Sequence, residues 1–212
     1  MSSSRSAGLL WRERARNTET RTDGEGANEW SEKMSKLVTS FLMTINGVIG
    51  NPHEWAAEFD KNAAESALAQ LRRSDAMLMG RRTYQIFSEL WPGSSGDYPD
   101  AINAIKKYVF SNTLEAAGWN NVTIVTGDPA QEVARLKREG DGDLVLYGHG
   151  MLGRTLLEHG LVDELKAWIF PRFVGSGTLI FSEGENALME HVDTATLASG
   201  VAVLTYRPRR SS

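Results

Sequence analysis

Short apolar runs along this chain end at glycine and are followed by stretches with helical spacing. The first run, Lys36-Leu-Val-Thr-Ser-Phe-Leu-Met-Thr44, is nearly continuous in apolar and β-branched residues. That is the pattern of a central parallel strand covered on both faces. Asn46-Gly47 and Gly50-Asn51-Pro52 then mark turns. Ala63, Ala64, Ala67, Leu68 and Leu71 share one helical face and predict a helix from about Glu54 or Asp60 to Arg73. Ala76-Met-Leu-Met79 predicts a second strand, with a helix from Gly80 through Phe87 to Leu90. A short helix at residues 101–105 leads to strands at Lys107–Phe110 and Asn121–Val125. Asp128 as N-cap and Pro129 in the first turn open a helix to Glu139. Asp143–Tyr147 is a buried strand, and Leu152, Thr155, Leu156 and His159 place one apolar face on a helix that Gly160 ends. Val162–Phe170 reads as a further strand, and the runs flanking Ser199-Gly200 form a hairpin. Strands alternating with helices predict an α/β fold of three layers, α/β/α, around a mixed central sheet whose C-terminal strands are antiparallel.

Composition narrows the classes. The chain has 212 residues, of which 41% are hydrophobic and 24% charged, enough for one substantial core. A formal net charge of -4 argues against a nucleic-acid partner, which calls for a concentrated basic face. With no cysteine, disulfides, thiolate metal sites and cysteine nucleophiles are excluded. His53, His149, His159 and His191 have no metal-ligand spacing, and no run reaches the roughly 18 apolar residues of a membrane span. A soluble, cytoplasmic protein is expected. Residues 1–33, with Ser2-Ser3-Ser4 and mutually cancelling charges, read as a disordered extension. The folded domain is expected over residues 34–208, with a basic tail at 209–212.

Two glycine turns carry the candidate chemistry. Gly148-His149-Gly150, followed by Met151 and Leu152, joins a strand to a helix, and so does Gly80-Arg81-Arg82-Thr83. Glycine lets backbone approach a ligand closely, and free N–H groups at a helix start attract negative charge. Arginine adds a planar fork suited to phosphate. Each turn alone reads equally as plain backbone geometry, but in one open sheet both lie beyond the carboxyl ends of the strands, where ligand crevices form. Ser111-Asn112-Thr113 ends another strand with hydroxyl and amide groups. The loop from Leu90 to Pro99, containing Trp91 and Tyr98, is either a substrate lid or packing.

Several segments occur in an order that resembles dihydrofolate reductase-like proteins, in particular the branch that includes the reductase domain of riboflavin biosynthesis. They are Met34–Gly50, Leu78–Tyr84, Tyr108–Thr113, Leu146–Gly153, Gly160–Leu165 and Val174–Gly177. The resemblance implies NADPH as hydride donor, a small heterocyclic substrate of pterin or ribosylaminopyrimidine type, and a homodimer. By the same resemblance, Gly148, His149 and Gly150 would face the cofactor diphosphate, with Met151 and Leu152 after them also cofactor-binding. Gly80, Arg81, Arg82 and Thr83 would hold the adenosine phosphates, Ser111 with one of the arginines would meet the 2′-phosphate, Asn112 would be a further cofactor-binding residue, and Leu42 and Ile49 would border the nicotinamide. Asn46 departs from the Ser-Leu-Asp-Gly of riboflavin-type reductases, and it and Trp91 are expected on the substrate side. Glu58 and Asp60 are the candidate proton donors, about where dihydrofolate reductases carry their substrate carboxylate. An alternative is a dimeric nucleotide-binding protein of the same fold that has lost turnover.

Overall fold

The computed structural model describes residues 34–57, 61–181 and 186–209. The extension at 1–33, the candidate acids Glu58 and Asp60, and the last residues of the basic tail lie outside the described residues. The strands are β1 (Leu37–Thr44), β2 (Ser74–Gly80), β3 (Lys106–Phe110), β4 (Val122–Val125), β5 (Asp143–Tyr147), β6 (Glu164–Phe170), β7 (Met189–Thr196) and β8 (Ala202–Pro208). The helices are α1 (Pro52–Trp55), α2 (Lys61–Leu71), α3 (Arg81–Leu90), α4 (Asp97–Ala104), α5 (Pro129–Glu139) and α6 (Met151–Glu158). The eight strands form one sheet in the order β4-β3-β2-β5-β1-β6-β8-β7. Pairing is parallel from β4 to β6, and β8 is antiparallel to both of its neighbours.

The alternation of side chains along the strands sorts the core into two layers. Leu37, Leu78, Leu144 and Leu146 pack against Val133 and Leu136 of α5 and Leu156 of α6. Met77, Met79, Val145 and Trp168 point the other way, toward Ala63, Ala67 and Leu68 of α2, Tyr84 of α3, and Tyr98 and Ile102 of α4. Helices on both faces make the continuous apolar runs of β1, β2 and β5 intelligible, because neither face of those strands meets water.

The ends of the elements follow local chemistry. Asp128 accepts a hydrogen bond from Ala130 N at 2.8 Å and caps α5 as its sequence position suggests. Past the end of α6, Gly160 has φ +66; its N–H donates to Leu157 O and that of Leu161 to Leu156 O, the pairing of a Schellman cap. Asp163 then accepts from Leu37 N at 2.7 Å and pairs with the buried Lys137, tying β1 to α5.

Boundaries differ from the sequence reading in three places. The helix expected from Glu54 or Asp60 to Arg73 is represented by α1 and α2, since Pro52 can open a helix and Asn51 turns the chain before it with φ 49. α4 starts at Asp97 rather than Ala101: Pro99 falls in the first turn, where its missing N–H has no intrahelical partner to lose, and Asp97 and Asp100 suit the dipole. β7 begins earlier than expected, at Met189, because its exposed edge sequence has no apolar alternation to read.

Candidate functional site

A cleft of 1010 Å³ opens at the carboxyl ends of β2, β3, β4 and β5 and runs along β1. A single-ligand site typically encloses about 300–1,000 Å³, so this volume suits a large ligand or two ligands side by side. Leu42, Ile49, Gly80, Arg81, Arg82, Thr83, Ser111, Asn112, Gly148, His149, Gly150, Met151 and Leu152 all line it. Residues spread over most of the folded chain are thereby brought to one surface.

The two glycine turns touch. Gly148 has φ +84, and a Cβ built there would stand 3.0 Å from Thr83 Oγ1, so only glycine lets the β5–α6 turn pass the start of α3. Gly80 and Gly150 are different. Each stands at the N-cap of its helix with negative φ, and a Cβ on either would meet no atom of the described residues within 4 Å. Neither the backbone nor a neighbour demands glycine there, whereas a ligand lying against the backbone would. The starts of α3 and α6 thus bring free N–H groups and two partial positive charges to one cleft.

Fixed charge adds to those dipoles. Arg81 Nη1 donates to Thr113 Oγ1 at 2.7 Å, and Arg82 Nη2 donates to Asn51 Oδ1 at 2.7 Å. Both partners are neutral, so each guanidinium keeps its full charge for an anion. Ser111 Oγ accepts from Leu114 N at 3.0 Å, and Asn112 Oδ1 accepts from Gly127 N at 3.0 Å, which shapes the turn to which Arg81 is tied. His149 is buried with its ring 5.3 Å from Phe41, and a Cβ on Gly153 would stand 2.7 Å from its Nδ1. Its imidazole is therefore packed under α6 beside the glycine turn.

Ile49 is set into the cleft wall by two loops that lock together. Ile49 N donates to Thr178 O at 2.8 Å and Ile180 N to Gly47 O at 2.9 Å, while a Cβ on Gly177 would stand only 2.6 Å from Val48. Asn46 belongs to this clamp and not to the cleft lining. Its amide donates to Val174 O at 2.7 Å, and its carbonyl oxygen accepts from Thr44 Oγ1 and Val174 N at 2.8 and 3.2 Å. A carboxylate could not make the first of these bonds. Trp91 also stands behind the lining, edge-on to Tyr98 and Phe87 at 5.3 and 6.0 Å. Of the two aromatics in that segment, Trp91 is thus packing, whereas Tyr98, in the first turn of α4, is buried yet reaches the cleft lining.

Further lining residues escaped the sequence reading: Ser40, Phe87, Tyr147, Trp168 and Asn51. Tyr147 stands directly before the glycine turn and was legible there in principle. The others depend on which strands are neighbours. Trp168 reaches the cleft because β6 lies beside β1, where its Nε1 donates to Ser40 Oγ at 3.1 Å. Among the described residues no cluster of His, Asp or Glu could hold a metal ion, and no described helix is long and apolar enough to cross a membrane.

An open, mixed sheet with its cleft at the carboxyl ends of the strands, where glycine turns converge, defines an α/β domain of the ligand-binding type. The sequence matches the RibD C-terminal domain model over residues 35–203, and the chain belongs to that family. It is 26% identical to the uncharacterized protein YyaP of Bacillus subtilis (strain 168) over 185 residues, which cover 82% of this chain and 95% of YyaP. A protein of Shewanella sp. PV-4, provisionally assigned to riboflavin biosynthesis, superimposes with a TM-score of 0.68 at 20% identity, covering 84% of this chain and all of that one. Dihydrofolate reductase of Enterococcus faecalis, solved with NADP(H), superimposes with a TM-score of 0.58 at 14% identity, covering 82% and 97% of the respective chains. The fold is thus dihydrofolate reductase-like, and the domain is of the reductase type.

Proposed function

We propose that this chain is an NADPH-dependent reductase of a small heterocyclic acceptor, of the pterin or ribosylaminopyrimidine type handled by the riboflavin-biosynthesis reductase. The observation that carries the reading is the meeting of the Gly80 and Gly148 turns, with two helix N-termini and two arginines whose partners among the described residues are neutral, on one cleft. That arrangement suits the diphosphate and 2′-phosphate of NADPH, because anionic groups gain from both dipoles and planar guanidinium forks. Gly80 and Gly150 leave room for the diphosphate against the backbone, Arg81 with Ser111 and Thr113 takes the 2′-phosphate, and Leu42 and Ile49 flank the ring. When bound, the cofactor supplies the hydride. The chain's own part is to orient the two reactants, exclude water and deliver a proton, for which Glu58 and Asp60 are the proposed donors, just before α2 in sequence.

Oxidation of NADPH followed by absorbance over a panel of pterins, pyrimidines and small carbonyls tests the reading. Turnover with at least one of them is expected; tight NADPH binding without oxidation across the panel favours the alternative of a nucleotide-binding protein without turnover. Arg81→Ala is expected to weaken NADPH about tenfold or more while leaving NADH nearly unchanged, since one charge-assisted pair is lost only with the 2′-phosphate. Equal losses for both cofactors would remove that role. A homodimer is part of the proposal, supported by exposed Phe173 and Phe181 in the loop that follows β6 and by exposed Leu188 just before β7. Light scattering should report twice the chain mass, and a monomer would reject it.

A further inference from the structure

One wall of the cleft has no part in holding phosphate. On the face covered by α2, α3 and α4, the rings of Tyr147, Tyr98, Phe87 and Trp168 and the side chain of Leu42 line the cavity together. Phe87 lies 5.7 Å from Tyr147, ring to ring. Tyr98, 6% exposed, donates its hydroxyl to the Tyr147 oxygen across 3.4 Å. Burial pushes Tyr98 up to about 12 and holds Tyr147 well above the ordinary phenol range, so both remain neutral donors at physiological pH. With Tyr98 giving its proton to Tyr147, Tyr147 keeps its own for an acceptor atom in the cleft. The indole N–H of Trp168 is already given to Ser40, so Trp168 contributes its ring surface.

The charges lie elsewhere. Arg81 and Arg82 are the arginine and lysine side chains among the described lining residues, and they are tethered at the phosphate turns. Glu58, Phe59 and Asp60, which precede α2, add no cation by sequence. An anion pressed against this wall would lose its hydration without gaining a partner. A flat ring would gain stacking area on Tyr147, Phe87 and Trp168 and one directed hydrogen bond.

We propose that this aromatic wall is the acceptor subsite, taking a planar heteroaromatic ring without an anionic group, whose carbonyl oxygen or ring nitrogen accepts a hydrogen bond from Tyr147. Tyr98 is a positioning residue that fixes the direction of that donor. The proposal rests on the cleft's being the NADPH site, and it narrows the acceptor, because a ribosyl phosphate finds no cation here. Tyr147 immediately precedes Gly148, which puts the ring subsite next to the diphosphate turn and within reach of the same ligand pair.

The test uses the full chain saturated with NADP+ and titrated with quinolin-2-one, an uncharged fluorescent bicyclic lactam, and with its 4-carboxylate. Quinolin-2-one should bind, and the carboxylate about tenfold more weakly or worse, as loss of hydration without a partner requires. Tyr147→Phe should weaken quinolin-2-one about fivefold to tenfold, the worth of one neutral hydrogen bond, and Tyr98→Phe by less, with NADP+ affinity and melting temperature unchanged in both. A purely structural role would instead move NADP+ binding and melting along with the probe. No quinolin-2-one binding to the NADP+ complex, equal binding of the carboxylate, or an unaltered affinity in both variants would overturn the subsite. Failure of the unmodified chain to bind NADP+ at all is a separate result, and it removes the underlying reading instead.

Discussion

Three glycines separate what the fold requires from what the ligand requires. Gly80, with φ -80 and ψ 167, and Gly150, with φ -72 and ψ -150, have backbone that alanine adopts without strain, and neither has an atom of the described residues within 4 Å of a new Cβ. Replacing glycine by alanine at such a position stabilises by about 0.4–1 kcal/mol through the unfolded chain. Both are helix N-caps, where alanine is poorer than glycine by about 0.5–1 kcal/mol. The two effects oppose and are of equal size, so Gly80→Ala and Gly150→Ala should move the melting temperature by no more than about 2 °C. Yet each puts a methyl group where the diphosphate is proposed to lie, and NADPH affinity should fall at least tenfold, or about 1.4 kcal/mol. Gly148→Ala is the control. Its φ of +84 costs an L-residue about 1–2 kcal/mol. With Thr83 Oγ1 only 3.0 Å from the new Cβ, it should lower the melting temperature by several degrees, at about 2–4 °C per kcal/mol. Thermal unfolding by circular dichroism and NADPH titration by fluorescence read both quantities. If Gly80→Ala and Gly150→Ala leave NADPH binding intact, the cradle is wrongly placed; if they unfold as early as Gly148→Ala, those glycines serve the fold.

Two further predictions concern buried charge. Lys107 is fully buried, donates to Asn103 O and Ile105 O at 2.8 Å each, and sits 4.4 Å from the Trp119 ring centre, and burial pushes its pKa down to about 8. Between pH 8 and 10.5 the folded chain therefore releases a proton that the unfolded chain retains. Stability must rise with pH across that window and be lowest, on this account, below it. Melting temperatures of the wild type minus those of Lys107→Met should climb from pH 8 to 10.5; a flat difference would mean that Lys107 titrates normally. Asp163→Ala leaves Lys137 buried without its carboxylate and Leu37 N without its acceptor. A destabilisation of about 3 kcal/mol is expected in urea unfolding, and a loss under about 1 kcal/mol would show that Lys137 finds water instead.

The parallel core was legible because its strands are covered on both faces. Leu37 to Thr44 and Asp143 to Tyr147 have no polar alternation to confuse with a surface strand, and Asp128 and Gly160 carry signals that depend only on adjacent residues. The glycine turns were legible as turns, and the sheet order brought them together. The wall of aromatic rings was not legible, for a topological reason. Tyr98 comes from a helix that Pro99 disguised as loop, Trp168 from a strand beside β1, and Tyr147 from the residue before a motif that drew attention to its glycines. Asn46 shows the same limit from the other side. Its position in a resembling motif suggested a lost substrate contact, whereas its amide is spent on both polar atoms of the Val174 backbone, a bond pair that needs a donor and an acceptor on one side chain. A motif departure of this kind therefore reports first on loop packing. What the acceptor must be is decided instead by residues distant in sequence, and their common property is a ring surface with a hydroxyl at its edge.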